Sequence, residues 1–362
     1  MDPWQEPVRG GYPNPMLFGL SGLEQLRGFF SGWGPRPPIS HLMGHMLADV
    51  GSGLVTFTQP ASPWLQVPAG HIGLGVLAAL ADAPLGCTVQ SSLPAFTAYT
   101  TAELAMNYLR PPAVDGSDLT ATGSLIHGGR SLALTDVVIE DARGRLIAHG
   151  TSRCVVFEPM GPPPAEPPTP DVLELSEYET PDPYLRPEVL GFVIPQDVWD
   201  AHSGLDILKM MVKGEIDHPP LSHLTGMAIR EAEEDTTTFV MPAHEHLCSP
   251  LRTVQGGTIA MLADTAMMCA VQTTTEPRTA MFPVDLKVNF LRPGVPDGRD
   301  LTAVARVMHR GKSVAVSQAE ITNADGKRVA LAMGTAMIRA GAPWHLGHAP
   351  ADAPLHEDPA AE

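Results

Sequence analysis

The chain has 362 residues, which is enough for two ordinary domains with sizeable apolar cores. Its composition is that of a globular protein, 44% hydrophobic and 17% charged, and its 37 prolines indicate proline-rich connectors. The formal net charge of −17, without any stripe of Lys and Arg, argues against nucleic-acid binding.

The chain also lacks the usual marks of a secreted or membrane protein. Its first residues, MDPWQEPVRG, have no basic segment followed by an apolar one. The longest apolar run, residues 72–90, is interrupted by Asp82 and Pro84. Four cysteines occur without C-x-x-C spacing. We therefore expect a cytoplasmic protein with reduced thiols, no membrane span and no metal or other cofactor.

Helix and strand patterns follow one another in the same order twice along the chain. A short amphipathic helix (GLEQLRGFF, then GLDILKMMV) precedes a β-branched strand (SGLVTFTQP, then DTTTFVMP), a loop and a long apolar helix. Four strand-like stretches follow the first long helix, at residues 97–109, 118–127, 131–140 and 145–156. One buried helix followed by four antiparallel strands predicts an α+β fold in which a sheet curls around the helix.

The repeated order reflects an internal duplication. When residues 22–145 are placed on residues 204–327, an offset of 182 without a gap, 44 of the 124 positions are identical. The segment PPISHLMG lies over PPLSHLTG, and ELAMNYLRP lies over DLKVNFLRP. The chain is therefore predicted to contain one fold twice, with the two copies packed as a pseudo-dimer.

The composition places the boundaries between the copies. Residues 159–186 are rich in proline and acidic residues, which is typical of a stiff, solvated linker. We divide the chain into an N-terminal extension, a first domain, this linker, a second domain and a disordered tail: residues 1–19, 20–158, 159–186, 187–340 and 341–362.

Each long helix contains one aspartate, Asp82 in the first copy and Asp264 in the second. A carboxylate inside an apolar helix is costly unless it is paired or used. Asp264 lies eight residues after Gly256, or roughly 12 Å along the helix from the free N–H groups at its start. One helix therefore cannot direct both groups at one carbonyl, and we infer two composite sites in which the aspartate of one helix faces the start of the other.

A carboxylate opposite a positive helix end suits attack on a carbonyl group. The amide stabilises the developing oxyanion, while the aspartate activates water as a general base or attacks directly. The chain has no G-x-S-x-G segment, so a serine nucleophile of that type is excluded.

The segment TVQGGTIAMLADTAM, with L-A-D eight residues after its first glycine, resembles the hotdog-fold acyl-CoA thioesterases of the phenylacetate-pathway (PaaI-like) type. VDLKVNFLRP and DGKRVALAMGTAMI strengthen the resemblance, which covers about residues 20–157 and 203–340. It implies a tandem double hotdog, each half an antiparallel sheet around a central helix. It also implies an acyl-CoA substrate and further assembly into a homo-oligomer.

The resemblance assigns roles to individual residues. Gly256 would supply the oxyanion N–H, and Asp82 and Asp264 would occupy the position of the acidic catalytic residue. Gln255 replaces the histidine usual in the family, and Ser249 replaces an Asn or Gln. The first copy has Leu74 where the second has Gly256, so Asp82 with Gln255, Gly256 and Ser249 is predicted to be the intact site and Asp264 the weakened one.

Other candidates concern the coenzyme A moiety. Substrate-binding candidates are Gly257, Leu74, Asn107, Asn289, Arg110, Arg292, Arg130 and Lys312. Each of the four cations ends a strand or lies in a turn, where exposure to solvent is an equally good explanation. His41 and His45 have the i, i+4 spacing of helical metal ligands, but the second copy has Met227 at the latter position and no third ligand is evident.

Two further functions come into consideration. A non-catalytic acyl-CoA-binding or structural double hotdog would retain the aspartates as relics. A hydratase would need a His and Asp pair in a D-x-N-x-x-H-like segment, which we do not find. The acyl group, and the choice between coenzyme A and an acyl carrier protein, are not determined by the sequence.

Overall fold

A computed structural model describes residues 3–162, 164–173 and 176–344. Within them, the first half contains α1 (Gly22–Phe30), α2 (Pro38–Met43), β1 (Met46–Gly51), β2 (Leu54–Pro60), α3 (Leu74–Ser91), β3 (Tyr99–Tyr108), β4 (Asp118–Gly128), β5 (Leu132–Glu140) and β6 (Leu146–Val156).

The second half repeats this order after one additional short helix. Its elements are α4 (Gln196–Ala201), α5 (Gly204–Val212), α6 (Pro220–Thr225), β7 (Ala228–Glu233), β8 (Thr236–Pro242), α7 (Gly256–Gln272), β9 (Thr279–Phe290), β10 (Asp300–Arg310), β11 (Val314–Thr322) and β12 (Arg328–Ala340). Two strands, not the single one predicted, precede each long helix.

All twelve strands belong to one antiparallel sheet with the order β1-β2-β4-β5-β6-β3-β9-β12-β11-β10-β8-β7. The two halves meet where β3 pairs with β9. In that register Ala105 lies opposite Lys287, which is its own counterpart at the offset of 182. The pseudo-two-fold axis of the duplicated chain therefore passes between these two strands.

The long helices α3 and α7 lie side by side against the concave face of this sheet. Both are apolar on nearly all sides, because each contacts the sheet on one face and the other helix on another. α3 has the length and composition of a membrane-spanning helix, yet 78% of it is buried inside the protein. The fold class predicted from the sequence, two hotdog domains in tandem, is confirmed.

The end of the connector differs from the solvated linker that we predicted. Asp182 is buried, and its carboxylate oxygens lie 3.3 Å from Arg9 Nη1, 3.1 Å from Arg36 Nη2 and 2.9 Å from His41 Nδ1. Burial alone would raise the pKa of Asp182, but its interactions with His41, Arg36 and Arg9 lower it. These partly buried polar contacts therefore hold the end of the connector against the N-terminal extension and α2.

The last described residues after β12 are held by aromatic stacking. Trp344 is buried, and its ring stacks on Trp199 of α4 with centroids 4.1 Å apart. The remainder of the tail that we predicted to be disordered, residues 345–362, lies outside the described part of the chain.

Candidate active site

The two helix aspartates each bind the start of the opposite helix. Asp82 on α3 accepts a hydrogen bond through Oδ2 from the backbone N–H of Gly257 at 2.9 Å. Asp264 on α7 accepts one through Oδ2 from the N–H of Gly75 at 2.8 Å. The two pairs are related by the offset of 182, so the carboxylates are exchanged between the halves about the pseudo-two-fold axis.

Burial sets the protonation of both groups. Desolvation raises the pKa of Asp82 to about 6, although the hydrogen bonds from Gly257 and from the Thr101 side chain oppose this shift. Desolvation raises the pKa of Asp264 to about 7, opposed by Gly75 alone. The Thr101 side chain thus favours the charged form of Asp82, and Asp264 has no such additional donor.

A cavity of about 770 Å³ opens at Asp82. Its walls are mostly apolar, and they also contain the predicted site residues Ser249, Gln255 and Gly256. Asp264 and Leu74 are buried and are not among the residues that line this cavity. The volume falls within the range of about 300–1,000 Å³ typical of small-molecule sites.

The counterparts of the cavity residues explain why the halves differ. Gly86, Tyr99 and Thr100 line the cavity, whereas the second half has Met268, Met281 and Phe282 at the corresponding positions. All three belong to the apolar core or pack against it. Met268 and Phe282 are larger than Gly86 and Thr100, and all three replacements are apolar, which favours a packed interior where the first half is open.

The start of α7 presents two groups to the cavity. The N–H of Gly256, in the first turn of the helix, has no hydrogen-bond acceptor within the described residues, whereas the next N–H, that of Gly257, is bound by Asp82. A Cβ atom at Gly256 would lie 3.3 Å from Asp82 Oδ2, so this turn runs directly past the carboxylate. A free, positively polarised N–H thus lies beside a carboxylate.

Gln255, which caps α7, is 5% exposed. Its Nε2 donates to the carbonyl oxygen of Ala79 at 3.2 Å, while its Oε1 is buried without a donor. Ser249 lies in the preceding loop, where its hydroxyl accepts from the N–H of Leu251 at 3.3 Å. Both side chains line the cavity, and Gln255 retains an unused acceptor.

The remaining predicted residues divide into two groups. Arg292 is exposed at the end of β9 and lines the cavity, with Nη1 donating to the carbonyl oxygen of Arg328 at 2.6 Å. The cations and amides that are exposed and do not line the cavity are Asn107, Asn289, Arg110, Arg130 and Lys312. The two asparagines alternate along their strands with buried residues, so the pleat directs them to the outer face of the sheet, away from the helices.

Sequence reasoning missed several contributors to the cavity. Thr101 hydrogen-bonds to Asp82, and its counterpart in the second half is Pro283, which has no hydroxyl. The N-terminal extension, which carried no recognisable motif, contributes Pro13, Leu17 and Phe18 to the wall. The difference between Thr101 and Pro283 could have indicated a role for Thr101. Nothing in the sequence indicated that the N-terminal extension reaches the cavity.

Of the two histidines with helical spacing, His41 pairs with Asp182 and His45 lines the cavity. Among the described residues, no group of three or more His, Cys, Asp or Glu side chains is arranged to hold a metal ion.

A twelve-stranded sheet around two helices with exchanged aspartates is the architecture of a double hotdog, and the family comparison agrees. The model of the thioesterase superfamily matches the chain twice, at residues 69–148 and 251–330. The chain belongs to the thioesterase superfamily.

Individual relatives match one half at a time. The acyl-coenzyme A thioesterase PaaI of Escherichia coli K12 is 33% identical over 109 residues, which is 30% of this chain and 75% of that protein. The medium/long-chain acyl-CoA thioesterase YigI of Salmonella typhimurium is 33% identical over 146 residues, covering 36% of this chain and 93% of that protein. The solved structure of the tesB protein of Mycobacterium avium subspecies paratuberculosis has a TM-score of 0.50 and 14% identity, covering 83% of this chain and 98% of that one, and is evidence for the fold alone.

Proposed function

We propose that the chain hydrolyses acyl-CoA thioesters at one site, formed by Asp82 of the first half and the start of α7 in the second half. The observation that carries the proposal is the Asp82 carboxylate beside the free N–H of Gly256, in a cavity of about 770 Å³. Curated relatives are named as acyl-CoA thioesterases, which supports the reaction class.

In this proposal Asp82 acts as a general base. A pKa of about 6 leaves it ionised at neutral pH and still basic enough to take a proton from water in the transition state. Its hydrogen bond from the Gly257 N–H orients the carboxylate through Oδ2, and in this proposal Oδ1 accepts the proton of the water.

The thioester carbonyl oxygen accepts a hydrogen bond from the Gly256 N–H as negative charge develops on it. Water attacks the carbonyl carbon and gives its proton to Asp82. The C–S bond then breaks, and the coenzyme A thiolate leaves and takes the proton from Asp82. The unused Oε1 of Gln255 provides an acceptor that holds the attacking water or the amide of the pantetheine arm.

The walls of the cavity indicate the acyl class. The apolar side chains around Asp82 come from the N-terminal extension, α1, α2, β1 and β2, and include Leu17, Leu26, Phe29, Ile39, Leu47 and Phe57. Such a wall favours an apolar acyl chain over a small or charged acyl group. A medium to long chain fits the volume, and one relative carries that class in its name.

The test is release of free thiol from acyl-CoAs of increasing chain length, measured for the wild-type chain and for two matched variants, Asp82→Asn and Asp264→Asn. We expect Asp82→Asn to lower kcat by about 10³-fold or more, since it removes the base. Asp264→Asn should retain turnover within about threefold. Equal losses in the two variants would contradict the single-site proposal, and no hydrolysis by the folded wild type would contradict the reaction.

A further inference from the structure

His45 is a buried polar side chain without a partner in the wall of the cavity at Asp82. It is 2% exposed, and neither Nδ1 nor Nε2 has a hydrogen-bond partner within the described residues. It follows the left-handed Gly44 that ends α2 and precedes β1, the edge strand of the first half. His45 and Asp82 line the same cavity, so a ligand bound there lies against both residues.

The imidazole of His45 is neutral. Burial lowers its pKa to about 3, and no charged group opposes this shift. A neutral imidazole presents one N–H donor and one acceptor nitrogen. Leaving both unsatisfied in an apolar wall is unfavourable, so such a group calls for an explanation.

The fold itself does not require a histidine at this point. The corresponding residue of the second half is Met227, which is 2% exposed and belongs to the apolar core. A methionine therefore satisfies the same backbone environment at the end of α6. The histidine occurs only in the half whose aspartate faces an open cavity.

Building on the proposed function, we propose that His45 selects acyl groups that carry a hydroxyl, by hydrogen bonding to that hydroxyl within the acyl part of the cavity. A hydroxyl both donates and accepts, so it can pair with either imidazole nitrogen, in either tautomer. A keto oxygen pairs only with the N–H. A carboxylate would bring a charge into a wall of mostly apolar side chains.

The experiment compares decanoyl-CoA with a set of hydroxydecanoyl-CoA isomers, which differ in the position of one hydroxyl along the acyl chain. We expect at least one isomer to have a kcat/KM about tenfold above that of decanoyl-CoA, since the unsubstituted chain leaves the imidazole unpaired. In His45→Met, which installs the residue of the second half, the ratio should fall to about one. His45→Gln, which retains a donor and an acceptor, should preserve part of the preference.

The matched control is His149→Met. His149 lies on β6 with its side chain 42% exposed, outside the cavity, and its second-half counterpart at the offset of 182 is also apolar, Leu331. This variant should keep the wild-type ratio. A wild type without preference for any isomer, or a preference that survives in His45→Met, would overturn the role of His45.

Binding separates this inference from the proposed reaction. The ratio of dissociation constants for the same ligands, measured by isothermal titration calorimetry on Asp82→Asn, does not depend on turnover. A preference for a hydroxylated ligand that Asp82→Asn shows in binding, and that is lost in the double variant with His45→Met, would support the role of His45 even if the chain hydrolyses no acyl-CoA. Equal dissociation constants for all the isomers would contradict it even where hydrolysis succeeds.

Discussion

The Asp82 carboxylate lies 2.9 Å from the backbone nitrogen of Gly257, a residue 175 positions later in the chain and in the other half of the duplication. The symmetric pair, Asp264 with Gly75, has nearly the same distance of 2.8 Å. Each half therefore holds the aspartate of the other. Neither half contains both members of either pair, so both contacts require the two halves to be packed together.

The first prediction concerns the pH dependence of hydrolysis. In the proposed mechanism Asp82 must be ionised to accept a proton from water, and its pKa is raised to about 6. We expect log kcat/KM to rise with a slope of about one below pH 6 and to become level above it. The inflection should persist in Asp264→Asn, which removes the other titrating carboxylate. A profile that is flat from pH 5 to 8, with the protein folded by circular dichroism throughout, would exclude Asp82 as the base.

The second prediction distinguishes a general base from a nucleophile. In a single turnover in ¹⁸O-labelled water, a general base directs labelled water to the carbonyl, so the released acid carries the label. A nucleophilic Asp82 would form a mixed anhydride as the coenzyme A thiol leaves, and attack of water on its Asp82 carbonyl would place an unlabelled oxygen in the acid and the label in the Asp82 peptide. We expect mass spectrometry to find the label in the acid and none in the digested Asp82 peptide, whereas label in that peptide would identify Asp82 as a nucleophile.

The third prediction uses two adjacent glycines with different surroundings. A Cβ at Gly257 would lie 2.6 Å from Ala79 Cα and 2.8 Å from Asp82 Cβ, which the packed helices cannot accommodate. A Cβ at Gly256 would meet Asp82 Oδ2 at 3.3 Å, a tight but tolerable contact.

Gly257→Ala should lower the melting temperature by several degrees, at a cost of about 1–3 kcal/mol. Gly256→Ala should leave the melting temperature close to wild type and lower kcat, because it crowds the oxyanion position. The reverse order would refute this assignment.

The fourth prediction concerns the coenzyme A moiety. Arg292 lines the cavity, whereas its first-half counterpart Arg110 does not. A guanidinium at the cavity is suited to a phosphate of coenzyme A, and an exposed pair of this kind contributes about 1 kcal/mol or less. Arg292→Ala should therefore raise KM up to about fivefold at low salt with little change in kcat, while Arg110→Ala should leave KM unchanged. Equal effects of the two substitutions would indicate that neither cation has a specific role.

Much of the fold could be predicted because the signals were repeated. The offset of 182 revealed the duplication, and strand patterns such as residues 118–127 match β4 at Asp118–Gly128. The helical rise also predicted the exchange of aspartates between the halves. Roughly 12 Å separates Asp264 from the N–H groups at the start of its own helix, so it must face the start of the other helix. By contrast, β1 was missed, because an edge strand is paired on one side only and its residues alternate weakly between buried and exposed.

The parts of the site that escaped prediction depend on contacts distant in sequence. Leu17 and Phe18 reach the cavity because the extension is fastened by Arg9 to Asp182, 173 residues away, and no local pattern encodes such a pair. Thr101 lies in a strand whose alternation predicts only which face it occupies. Its hydrogen bond to Asp82 depends on how β3 is placed against α3.

The last prediction concerns the second aspartate, for which we expect an effect on stability. The folded-state pKa of Asp264 is about 7, against about 3.9 for an unfolded aspartate, so the folded protein binds the proton more tightly. The stabilising contribution of the protonated form is complete below the unfolded value and is lost as the pH rises through about 7. The neutral isostere in Asp264→Asn should avoid this loss, which is on the order of 2 to 4 kcal/mol.

The melting temperature of Asp264→Asn minus that of the wild type should therefore increase as the pH is raised from 5.5 to 8.5, as measured by calorimetry. A constant difference across that range would mean that Asp264 is already ionised at pH 5.5, and that Gly75 and the start of α3 stabilise its charge far more than one hydrogen bond implies.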